Sequence, residues 1–154
     1  MTGVLAIVRA DEVNVPLFLH VLGSMVLVGA LTLTVTSLVG AGRAGDLPLS
    51  TRLAFRSLLW VAIPAFVVMR AGAQWAANKE GIEDLDVTWL NIGYMIGDPS
   101  LVLLIAATVV TGLGARKATR EGTKSGLSTA GLALTVILVV LYLVAIWAMT
   151  VKPT

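Results

Sequence analysis

Three ionisable side chains interrupt otherwise uncharged stretches of the sequence, namely His20, Arg70 and Asp98. An imidazole, a guanidinium and a carboxylate can form an ion-paired network, relay protons, or hold a cofactor between them. His20 is the only histidine and the chain has no cysteine, so disulfides and thiolate sites are excluded and no metal site is predicted. The segments that carry the three residues decide which of these chemistries applies.

The composition is that of a membrane protein. Of the 154 residues, 57% are hydrophobic and only 13% are charged, whereas about 25% of the residues of a soluble domain are charged. The net charge of +2 is small, so no nucleic-acid partner is indicated. We expect the chain to lie in a lipid bilayer.

The lengths of the charge-free runs predict four membrane-spanning helices. A bilayer core takes about 20 helical residues, and the runs 13–42 and 125–151 exceed that length. Only 13 uncharged residues separate Arg56 from Arg70, so the second helix spans the membrane only if it continues past Arg70. The predicted helices cover residues 13–41, 54–77, 88–115 and 126–150 of a single transmembrane domain, 1–154.

The start of the third helix has two interpretations. In the first, Asp98 is the N-cap of a helix that begins at Pro99, where the missing N–H costs nothing. In the second, the helix begins near Thr88, with Trp89 at the membrane surface and Pro99 inside the helix. Only the second interpretation places Asp98 inside the membrane.

The charges of the loops predict the orientation of the chain. The loops after the first and third helices are cationic, and the central loop is acidic. The loop after the first helix carries Arg43, Asp46, Arg52 and Arg56, and the loop after the third carries Arg116, Lys117, Arg120, Glu121 and Lys124. The central loop carries Lys79, Glu80, Glu83, Asp84 and Asp86. The positive-inside rule places the cationic loops in the cytoplasm. The predicted fold is therefore all-α, an integral membrane four-helix bundle that runs up-down-up-down with both termini extracytoplasmic.

In this topology the three ionisable residues lie at similar depths, about 10 to 14 Å from the outer helix ends at 1.5 Å per residue. A lone charge at that depth costs about 2.5 to 3.5 kcal/mol, so we expect Arg70 to pair with Asp98 inside the bundle, beside His20. The alternative is that Arg70 extends past Gln74 to the outer headgroups. The predicted buried polar cluster comprises His20, Arg70, Gln74, Asn91, Tyr94 and Asp98.

The polar cluster is consistent with two functions. The first is a non-catalytic accessory or interaction subunit, without a cofactor, whose partners are other membrane subunits or further copies of the chain. The second is a bundle that relays protons or binds haem b, with His20 and Met95 as axial ligands and Arg70 at a propionate. No hydrolase or phosphate-binding motif occurs, so enzymatic activity is not expected.

Two segments carry a resemblance to a known family: HVLGSMVLVGALTL, which begins at His20, and TWLNIGYMIGDPSLVLLIAATVVTGLGARK, which begins at Thr88. They resemble a bacterial family of predicted four-helix integral membrane proteins, which is similar in plan to the membrane portion of copper-resistance protein D. The resemblance implies an inner-membrane bundle and a ligand at His20.

Overall fold

The computed structural model describes residues 11–41, 46–81, 88–123 and 125–151. These residues form four helices, α1 (Asp11–Gly40), α2 (Leu47–Glu80), α3 (Thr88–Glu121) and α4 (Gly126–Val151). Each helix is long and apolar enough to cross a membrane. The prediction of an all-helical chain with four candidate membrane spans is therefore confirmed. The predicted loop residues Arg43, Glu83, Asp84, Asp86 and Lys124 lie outside the described ranges.

The helices are longer than predicted at the ends that carry arginine. α2 begins at Leu47 rather than near residue 54, with Pro48 in its first turn, where proline favours a helix start. α3 continues to Glu121 rather than ending near residue 115. The length of an apolar run therefore predicted the candidate span but not the helix end, because charged residues continue a helix beyond the bilayer core at little cost.

α3 runs without interruption from Thr88 through Pro99. Asp98 is therefore not an N-cap, and α3 follows the longer of the two interpretations. Pro99 has no N–H to donate to the Met95 carbonyl. In the next turn, the Ser100 hydroxyl donates to the Ile96 carbonyl at 2.5 Å.

α2 contains one widened turn, a π-helical segment at Leu58–Ala62 in which the Ile63 N–H donates to the Leu58 carbonyl. Pro64 follows directly and leaves the Trp60 carbonyl without its usual donor. A π-helical turn accommodates an extra residue. The second half of α2, which carries Arg70, is therefore rotated relative to a regular α-helix.

Helices that are neighbours in the chain pack together, and α4 also packs on α1. Leucines from all four helices, with Phe66, form the core; they are Leu27, Leu31, Leu58, Leu104 and Leu138. One interhelical hydrogen bond joins the Ser57 hydroxyl to the Ala30 carbonyl at 2.9 Å. The first half of α2 packs against α3, whereas the second half has few contacts with it. The bundle is therefore closed at the end that carries Arg52, Arg56, Arg116 and Arg120, which we call the basic end. It is open at the other end, which holds His20, Arg70 and Tyr94 and which we call the open end.

Candidate functional site

A cleft of about 770 Å³ lies among the four helices at the open end. Its walls are mostly apolar and include residues of every helix; among them are Leu17, His20, Met69, Arg70, Tyr94 and Tyr142. The cleft exists because the second half of α2 is separated from α3. Its volume is within the range of about 300 to 1,000 Å³ that is typical of small-molecule sites.

Two glycines bring the backbones of α1 and α2 into contact beside the cleft. A Cβ atom on Gly72 would lie 2.6 Å from the His20 nitrogen and 2.8 Å from the Pro16 carbonyl oxygen. A Cβ atom on Gly23 would lie 2.6 Å from the Met69 nitrogen. Only glycine permits so close an approach. This contact fixes His20 of α1 next to Met69 of α2.

The ring of His20 is oriented by a hydrogen bond to the backbone. Its Nδ1 atom is 3.0 Å from the Met69 carbonyl oxygen. A carbonyl oxygen can only accept, so Nδ1 carries the proton and, in the neutral ring, Nε2 carries the lone pair. His20 lines the cleft, and no hydrogen bond to Nε2 occurs within the described ranges. Nε2 is therefore the ring atom left to accept a hydrogen bond or to coordinate a metal.

The structure brings Arg70 and Asp98 together across the gap between α2 and α3. The Arg70 Nη2 atom is 2.5 Å from Asp98 Oδ1. The guanidinium carbon lies 5.0 Å from the centroid of the Tyr94 ring, within cation–π distance. The guanidinium is thus held against one face of α3 by a carboxylate and an aromatic ring, rather than extended along α2 past Gln74.

The Arg70–Asp98 pair is not in the interior of the bundle, which corrects the predicted burial. The side chain of Arg70 is 31% exposed and that of Asp98 is 67% exposed. The two helices diverge at this level, so the pair bridges the mouth of the cleft. In a membrane this position faces lipid or water that enters the cleft.

Two other members of the predicted cluster, Gln74 and Asn91, and the predicted haem ligand Met95 do not line the cleft. Gln74 is exposed, and its side-chain nitrogen is 3.4 Å from Asn78 Oδ1 on the same helix. Asn91 is exposed, and Met95 is 77% exposed. None of these three residues lines the cleft, because α3 presents Leu90, Gly93 and Gly97 to it instead. The predicted His20–Met95 ligand pair is therefore not assembled.

The sequence analysis missed Tyr142 of α4. Its side chain is buried and lines the cleft, and its hydroxyl lies beside Ser100 but has no hydrogen-bond partner in the described part of the chain. Buried hydroxyls almost always have a partner, from protein, water or ligand. The sequence did contain a signal for Tyr142. Its phenol lies in the middle of an apolar run, where a tyrosine hydroxyl requires a hydrogen-bond partner.

The chemistry of the donor groups limits what the cleft can hold. Within the described ranges, no group of three or more His, Asp or Glu side chains could hold a metal ion. A haem requires only axial ligands, and His20 has the hydrogen bond to a backbone carbonyl that orients such ligands. A second ligand would come from the methionines that line the cleft, Met25, Met69 and Met149, rather than from Met95.

Comparisons of the chain with family models, curated proteins and solved structures found no match. The class of the protein follows from the structure itself. It is a helical protein with four candidate membrane spans and a largely apolar cleft among them.

Proposed function

We propose that the protein is a non-catalytic accessory protein of the bacterial inner membrane that binds a lipid-soluble ligand in the open-end cleft. The observation that carries this proposal is a cleft of about 770 Å³ with mostly apolar walls, into which the ring of His20 brings a hydrogen-bond acceptor. Apolar walls with a few convergent polar groups are typical of ligand sites. The separation of α2 from α3 provides an entrance from the bilayer.

The polar groups of the cleft select the chemistry of the ligand. The Nε2 atom of His20, which lines the cleft, can accept a hydrogen bond from a ligand. Arg70 lies at the mouth with its charge balanced by Asp98, so the ligand needs no net charge. The ligand proposed is an apolar molecule whose head group carries a hydroxyl, with its apolar part against Leu17 and Met25.

Filling the cleft should displace the ligand. Ala73 lines the cleft, whereas Ala71, on the same helix, is exposed and does not. We expect wild-type protein purified in mild detergent to retain a small molecule in native mass spectrometry. Ala73→Phe should lower its retention about tenfold, because overpacking costs about 1 to 3 kcal/mol. Ala71→Phe is the matched control and should retain it. Equal retention in the two variants would refute the cleft as the binding site.

Haem is the second candidate occupant, favoured by the hydrogen bond from His20 to the Met69 carbonyl. When bound, it would supply one-electron redox chemistry through its iron. The same wild-type preparation distinguishes the two ligands, since a Soret band that is lost in His20→Ala identifies haem. A retained molecule without such a band identifies the hydroxyl-bearing ligand.

We also propose the up-down-up-down topology with both termini extracytoplasmic. The contacts support antiparallel neighbours, since Gly23 meets Met69 while Ala30 meets Ser57. Likewise, Gly93 meets Met149 while Gly114 meets Ser128. The positive-inside rule then places the arginine-rich basic end in the cytoplasm.

A set of reporter fusions tests the orientation. A reporter that is active only in the cytoplasm should work when fused near Asp46 or Glu121. It should fail when fused near Glu83 or after Thr154, because these positions follow the second and the fourth crossing, each of which returns the chain to the outside. The reverse pattern would place the termini in the cytoplasm and the open end on the cytoplasmic side.

A further inference from the structure

A second concave site lies at the basic end of the bundle, remote from the cleft. It is a groove of about 470 Å³ between the start of α2 and the end of α3. Four arginines line it, Arg52 and Arg56 from α2 and Arg116 and Arg120 from α3. We call this site the arginine groove.

The sequence and the packing together bring the four arginines to one place. The two arginines of each helix are four residues apart in the sequence, so they lie one turn apart on the same face of that helix. The helices are in close contact here, because the Phe55 ring covers Gly112, where a Cβ atom would lie 2.8 Å from Phe55 Cε2. The aromatic ring forms part of the groove, and the arginine pairs flank it from both helices.

No described side chain neutralises the positive charge of the groove. No acidic side chain of the described segments lines it. Glu121, at the end of α3, lies 3.8 Å from Lys117, which is not a groove residue. Within the described ranges, none of the four arginines forms an ion pair or a hydrogen bond through its side chain. Four guanidinium groups that share a groove repel one another, and a bound anion relieves that repulsion.

We propose that the arginine groove binds an anion that carries two phosphate groups. The planar guanidinium donates two parallel hydrogen bonds to a phosphate, so each helix can hold one phosphate with its arginine pair. The groove lies where the helices leave the apolar core, which is the level of lipid headgroups. Basic pockets at such positions suit diphosphate headgroups, and a soluble diphosphate offers the same chemistry.

Binding of defined probes to the full-length protein in mild detergent tests this site. The probes are diphosphatidylglycerol in mixed micelles, phosphatidylcholine in mixed micelles, and inorganic pyrophosphate without added lipid. We expect diphosphatidylglycerol to bind at least about tenfold more tightly than phosphatidylcholine, because each charge-assisted hydrogen bond to phosphate is worth about a factor of ten.

Three variants separate the groove from general positive charge. The double variant Arg56→Gln/Arg116→Gln should weaken diphosphatidylglycerol binding about 100-fold, at about tenfold for each arginine. Arg56→Lys/Arg116→Lys keeps the charge but loses the planar fork, and should also weaken binding. Lys117→Gln removes a charge at the same end outside the groove, and should leave binding within about twofold. All four arginines are exposed, so these variants should fold normally.

The probes also identify the source of the phosphate. Pyrophosphate that binds alone and displaces the lipid would support the site with a soluble ligand. Lipid binding that pyrophosphate does not displace would support it with a headgroup ligand. The proposal is overturned if neither probe is preferred over phosphatidylcholine, or if Lys117→Gln weakens binding as much as the double arginine variants.

Discussion

Replacing Gly72 by alanine is expected to lower the thermal stability of the protein in detergent by about 1 to 3 kcal/mol, as overpacking of a close contact does. The new Cβ atom would lie 2.6 Å from the His20 nitrogen and 2.8 Å from the Pro16 carbonyl oxygen. Both are backbone atoms, so no side chain can rotate to make room. α1 and α2 would have to move apart, and Gly72→Val should separate them further. Thermal melting of the three proteins measures the effect.

Gly29→Ala is the matched control for this substitution. A Cβ atom on Gly29 has no neighbour within 4 Å, and alanine is a better helix former than glycine by about 1 kcal/mol. The melting temperature of Gly29→Ala should therefore equal or exceed that of the wild type. If Gly72→Ala melts like Gly29→Ala, then α1 and α2 do not meet at His20, and the orientation of the histidine would need another explanation.

The number of helices and their approximate positions could be predicted from the sequence, because a bilayer core sets a minimum length for an apolar run. The start of α3 at Thr88 was one of two interpretations, and local rules did not decide between them. An Asp-Pro step is as acceptable at a helix start as it is inside a helix that other helices pack against. The packing of α3 along α4, where Gly93 meets Met149, favours the longer helix.

The meeting of Arg70 and Asp98 could also be predicted, since opposite charges at one depth have few other partners. The exposure of the two side chains could not be predicted. It depends on how far α2 and α3 diverge, and the π-helical turn at Leu58–Ala62 and the proline after it affect the direction of α2. For the same reason the face that carries Asn91 and Met95 was wrongly assigned to the interior. Helical spacing gives which residues share a face, but not which neighbour that face meets.

The second large effect concerns the Arg70–Asp98 pair. Arg70→Leu or Asp98→Leu alone should destabilise the protein by up to about 2.5 to 3.5 kcal/mol, the cost of a lone charge at membrane depth, and by less where water reaches the mouth of the cleft. The two replacements together should recover much of this loss, because no charge is then left without a partner. Thermal melting of the wild type, the two single variants and the double variant in one detergent at pH 7 gives the coupling energy.

The coupling energy also reports what surrounds the mouth of the cleft. The Asp98 side chain is 67% exposed, and an ion pair in water is worth only about 0 to 1 kcal/mol. A coupling well above that range would mean that lipid or a bound ligand, rather than bulk water, covers the pair.

Arg70→Leu combined with Glu121→Leu is the control, since Glu121 lies at the basic end and the effects of these two substitutions should add. Additivity within about 0.5 kcal/mol for Arg70 and Asp98 as well would show that the two charges are solvated separately. The cleft would then be open to water at its mouth.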